Sequence, residues 1–127
     1  MFLSKIFKKE LDPIQTELLE YGYVKDEKYN RVCKKLDKGM GYITVNKTHI
    51  TITIDHKDYL EEKHHDNVWE QLEKVVPSID NKLLLGSLGF EFVAAVIKVS
   101  QNVSANELNQ LADKFYNEVL KIVLPLL

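Results

Sequence analysis

The sequence predicts an α+β fold: an antiparallel sheet built on a 29–54 meander, extended by the 83–100 region and packed against N-terminal, middle and C-terminal helices. Three observations carry that expectation. In GYITVNKTHITITID (41–55), Ile43 and Val45 alternate with Tyr42 and Thr44. Ile50, Ile52 and Ile54 likewise alternate with His49, Thr51, Thr53 and Asp55. Period-two alternation of β-branched residues marks a half-buried strand. Near the C-terminus, Ser104 and Glu107 form a capping box ahead of Leu108, Leu111, Ala112, Phe115, Val119, Ile122, Val123 and Leu126, which trace one helical face. Near the N-terminus, Asp12-Pro13 combines a capping side chain with a proline at the first helical position.

Taken in chain order, residues 1–11 read as an amphipathic turn, with Phe2, Leu3, Ile6 and Phe7 set against Lys5, Lys8 and Lys9, docking onto the domain's own core. Asp12-Pro13 opens the first helix, Gln15 is placed to complete its capping box, and Gly22 stops it. Residues 29–36 fit either a helix or a strand. The turn residues Asp37-Lys38-Gly39 favour a strand feeding the next one. A two-residue turn at Asn46-Lys47 would set Val45 opposite Thr48 and Ile43 opposite Ile50. Asp66 or Asn67 can cap a second helix whose stripe is Val68, Leu72, Val75, Val76 and Ile79, closed by Pro77. Leu83–Leu85 reads as a short buried strand ending at Gly86. Residues 90–100 fit both a strand and a helix, and the β-branched Val93, Val96, Ile97 and Val99 favour a strand. In the last helix, Tyr116, Leu120 and Leu124 widen the apolar stripe beyond a single face, as expected of a helix that is sandwiched or meets a second chain.

A chain of 127 residues is expected to form a single domain, residues 1–127, large enough for one core without staples. One cysteine, Cys33, gives no disulfide framework and suits a reducing, cytoplasmic compartment. No secretory signal and no apolar run of membrane-spanning length is apparent. The net charge of −2 is unevenly spread: residues 25–47 carry +4 and residues 48–127 carry −5. Such a split can steer a charged partner.

Chemistry-bearing patterns are sparse, and neither an enzyme nor a cofactor is expected. His49, His56, His64 and His65 lack the spacing of a metal site, and solvated histidines beside carboxylates are the expectation. Cys33 has no flanking nucleophile loop. The acid pairs Glu61-Glu62 and Asp55 with Asp58 lie among lysines, with no reason for a raised pKa. Gly86-x-x-Gly89 is too short for a dinucleotide fingerprint. Nucleic-acid binding through the basic meander, with Tyr29 and Tyr42 as stacking residues, is a lesser alternative, since the chain is mildly acidic overall.

The remaining class is a protein that presents a surface to another protein. In element order, size, mild acidity and amphipathic C-terminal helix, the chain resembles the class I type III secretion chaperones. That resemblance implies a small α+β homodimer holding a segment of a secreted effector. It covers most of the length at the level of topology and carries over no binding residues; the basic strand region departs from it. In composition the chain is also similar to small bacterial immunity proteins, cytoplasmic inhibitors that cap a cognate toxin. On that reading Asp55, Asp58, Glu61, Glu62, Asp66, Glu70 and Glu73 are the expected partner-binding residues, their carboxylates standing in for phosphates at a basic cleft. Tyr116, Leu120 and Leu124 are the expected dimer or partner face. Toxin immunity is the leading expectation and chaperone activity the alternative.

Overall fold

The structure, a computed structural model, describes residues 12–55, 61–87 and 92–126. The α+β expectation holds. Within those residues the order is helix α1 (Pro13–Leu18), strands β1 (Val24–Asp26), β2 (Arg31–Lys35), β3 (Met40–Val45) and β4 (His49–Asp55), helix α2 (His65–Ile79), strands β5 (Leu84–Ser87) and β6 (Phe92–Lys98), and helix α3 (Ala105–Val123). The strands form one antiparallel sheet in the order β1-β2-β3-β4-β6-β5. Both ambiguous segments supply strands, β2 from 29–36 and β6 from the described part of 90–100. β6 pairs with β4 along its whole length, setting Ile97 opposite Ile50, Ala95 opposite Ile52 and Val93 opposite Ile54 in the ladder.

One face of the sheet carries Val32, Ile43, Ile50, Ile52, Ile54, Ala95 and Ile97, all buried in a single cluster with residues of α1, α2 and α3. The hairpin register differs from the expected one. Val45 pairs with Ile50 and Ile43 with Ile52, and Asn46 N donates to His49 O at 2.8 Å, so the turn falls at Lys47-Thr48. The slip is two residues, so every isoleucine keeps its face; a slip of one would have reversed them all. The sequence reading also missed β1. At three residues, with Lys25 and Asp26 in it, β1 has no alternation long enough to detect.

Helix ends follow their local sequence signals only in part. The Asp12 carboxylate accepts from Ile14 N at 2.8 Å, and Gly22 closes the following turn at φ 91°, a left-handed value that glycine adopts without strain. Gln15 does not complete a capping box. It is fully buried, donates to Asn30 O at 3.4 Å and accepts from Val45 N at 3.2 Å, tying α1 to the end of β3. Helix α2 begins at His65 after a 3₁₀ turn over Glu62–His64 and has no side-chain cap, in place of a cap at Asp66 or Asn67. Pro77 lies within α2 rather than closing it. Val76 is buried and Ile79 packs against the core, which holds the last turn in helical form despite the lost N–H. Leu83 is buried as expected, but Leu84 is 52% exposed because β5 is an edge strand.

Candidate functional site

Helix α2 is anchored from below and charged above. Val68, Leu72 and Val76 sit in the core, and the helix packs against α3 and β5. The spacing that buries those three places Asp66, Glu70 and Glu73 on successive turns of the opposite side, all exposed. Trp69 lies half-buried beside this stripe, and its indole Nε1 donates to Glu73 Oε1 at 2.6 Å. Glu62, in the leading 3₁₀ turn, and Glu61 just before it are also exposed, with Glu61 paired to Lys63 at 3.3 Å. A rigid helix thus carries three carboxylates and a tryptophan on one side. Asp55 stands apart at the end of β4, on the sheet face away from the buried isoleucines. There it borders a cleft of about 380 Å³ together with Lys35, Lys38 and Met40. Asp58 lies outside the described residues.

The expected apolar partner face on α3 is taken up within the chain. Tyr116 is buried, its hydroxyl hydrogen-bonded to that of Tyr23 at 3.2 Å, and its ring lies over Gly41. A Cβ at Gly41 would stand 2.5 Å from Tyr116 Cζ, so glycine is required for the ring to fit. Burial is the main force pushing both tyrosine hydroxyls well above their ordinary pKa. Leu120 is also buried, and only Leu124 of the three is exposed, at 47%. The wide stripe therefore reflects a helix sandwiched between the sheet and its neighbouring helices.

Of the aromatic residues considered for base stacking, Tyr42 lies on the second face of the sheet and Tyr29 in the turn between β1 and β2. The Arg31 guanidinium lies 3.8 Å from the Tyr42 ring centroid and 4.6 Å from that of Tyr29, and its Nε donates to Asp26 at 2.7 Å. Burial alone would raise the Asp26 carboxyl. Hydrogen bonds from Arg31 and from the backbone at Lys28 and Tyr29 outweigh it and hold the group below its ordinary range. The two rings are thus already engaged by the chain's own arginine. Cys33 pairs in register with Tyr42 on this face, and burial chiefly pushes its thiol up, away from a thiolate nucleophile. His49 Nδ1 shares a 2.8 Å hydrogen bond with Thr48 Oγ1. His56 lies outside the described residues. Among the described residues, no group of three or more His, Cys, Asp or Glu side chains could hold a metal ion. None of the described helices is long and apolar enough to cross a membrane.

The Trp69 contribution was missed in the sequence reading. Its signal was there, a tryptophan one residue before Glu70 and four before Glu73 on a helix. Comparison of the chain with protein-family models, curated proteins and solved structures finds no match.

Proposed function

We propose that this chain is a non-enzymatic, protein-binding module of a bacterial cytoplasm that neutralises a toxin by stoichiometrically capping a basic cleft, as an immunity protein does. The observation that supports this reading is the outward side of α2: Asp66, Glu70 and Glu73 in a stripe beside Trp69, on a helix whose other side is locked into the core. A tryptophan hydrogen-bonded to a carboxylate and held on a helix anchored in the core has the composition of an interface anchor. Carboxylates arranged along a helix complement a cleft that ordinarily receives phosphates, and they accelerate encounter with it. The chaperone alternative needs an apolar dimer face, and of Tyr116, Leu120 and Leu124 only Leu124 is open to a partner.

The test is affinity capture from the native host with the wild-type chain and with the triple variant Glu62→Lys, Asp66→Lys, Glu70→Lys. A folded partner held one-to-one by the wild type and lost from the variant is expected, with an association rate that falls steeply with salt. Retention of the same partner by the variant overturns the assignment. Recovery of a secreted protein gripped through an extended segment establishes the chaperone instead.

A further inference from the structure

The circumference of α2 has an order that its linear sequence hides. At about 100° of arc per residue, the side chain next to the core residues Val68, Leu72 and Val76 is Trp69. Glu73, Asp66 and Glu70 follow it, and Lys74, Asn67 and Gln71 complete the circuit back to the core. The acids thus all lie on the Trp69 flank. The opposite flank holds one cation and two amides, with Gln71 Nε2 donating to Asn67 Oδ1 at 3.3 Å. Trp69 is the chain's single tryptophan, half-buried, and the acid next to it, Glu73, is its hydrogen-bond acceptor at 2.6 Å. Among the described residues no ion pair reaches Asp66, Glu70 or Glu73, whereas Glu61, Glu107 and Glu118 each meet a lysine.

An indole N–H taken out of water needs an acceptor, and a ring already held in one rotamer loses less entropy when it is covered. A carboxylate one turn along the helix meets both needs through a short, charge-assisted bond. We infer that Glu73 is a positioning residue: it holds the Trp69 indole for the partner instead of meeting the partner's charge itself. Charge contact falls to Asp66 and Glu70, whose carboxylates have no ion-pair partner among the described residues. The partner surface that fits is a row of cations with an apolar recess at one end, the recess receiving the open part of the indole. This inference rests on the inhibitor reading of α2. It goes beyond that reading by separating the roles of the acids and by giving the footprint a direction, toward Trp69 and away from Gln71.

Two substitutions separate position from charge: Glu73→Gln keeps an acceptor without the charge, and Glu73→Leu removes both. In the isolated full chain, the single indole Nε1–H resonance is expected to stay near its wild-type position in Glu73→Gln. In Glu73→Leu it is expected to move upfield, as a proton does on losing its acceptor. Urea unfolding of both variants should match the wild type, so that a change in binding is not a change in folding. Against the purified partner recovered by the capture experiment, Glu73→Leu is expected to weaken binding about threefold to tenfold, the worth of one hydrogen bond. Trp69→Phe, which loses the N–H and part of the ring, should weaken it about tenfold or more. The double variant should bind no worse than Trp69→Phe alone, because the two side chains share one contact. Glu73→Gln, and Gln71→Ala on the far flank, should stay within about twofold of the wild type. Equal weakening by Glu73→Gln and Glu73→Leu makes Glu73 a charge contact and overturns the inference while leaving the inhibitor reading in place. An unmoved indole resonance in Glu73→Leu does the same. A wild-type chain that retains no partner removes the inhibitor reading and the inference together.

Discussion

Helices α2 and α3 are both amphipathic and lie side by side on the sheet, yet they spend their surfaces differently. α3 buries nine residues, from Ala105 to Val123, and its flanks at Tyr116 and Leu120 close over Gly41 and the surrounding core. α2 buries three and exposes Asp66, Glu70 and Glu73, together with Asn67, Gln71 and Lys74, beside the partly covered Trp69. The width of an apolar stripe therefore reports how many neighbours a helix has. It is silent on whether those neighbours belong to the same chain. In this molecule the broad stripe is structural, and the narrow one sits beneath the surface proposed to bind a partner.

That contrast can be broken most directly at Tyr116. Replacing a fully buried aromatic with alanine removes both its packing and its hydrogen bond to Tyr23, and the expected loss is about 3–5 kcal/mol in urea unfolding. If Tyr116 instead faced a partner, the isolated chain would lose almost nothing. Gly41→Ala tests the same contact from the sheet side. The added methyl meets the Tyr116 ring, and the cost is expected at roughly 1–3 kcal/mol. In a Tyr116→Ala background that cost should largely disappear, because the two substitutions share one contact.

The buried hydroxyl pair sharpens the comparison through pH. A tyrosine whose folded pKa lies above its unfolded value contributes stability that is complete below the unfolded pKa of about 10. That contribution is lost as pH rises from there through the folded value. Unfolding followed by circular dichroism should therefore show an alkaline limb beginning near that pH. Tyr116→Phe should shrink it by the Tyr116 share and leave the Tyr23 share, since each hydroxyl is shifted upward chiefly by its own burial.

Smaller effects are expected at the helix start and on α2. Ser104→Ala removes the side-chain acceptor for Glu107 N and should cost about 1 kcal/mol in thermal or urea unfolding. Glu70→Lys, on the exposed stripe of α2, should change stability by no more than about 0.5 kcal/mol. A large destabilisation at Glu70 would make that stripe part of the fold, as α3 is, and would remove the basis for assigning it to a partner.

The chain's own pattern determined the elements that state their burial locally. Alternation at 42–54 yields a strand pair with isoleucines on one face, whichever turn closes it, because a two-residue change of register preserves parity. Asp12, Pro13, Gly22 and Ser104 act on backbone groups within a few residues, so their effects could be read without knowing the fold. The acidic stripe was legible for a related reason, since helical spacing alone puts Asp66, Glu70 and Glu73 on one side. Tertiary structure decided what depends on distant residues. Gln15 serves the sheet because Asn30 and Val45 arrive beside it, and Leu84 is exposed because β5 falls at an edge. Tyr116 is core because a glycine and a second tyrosine, far away in sequence, leave room for its ring and a partner for its hydroxyl. Composition records how apolar a residue is, but only the packed arrangement determines which surface removes it from water.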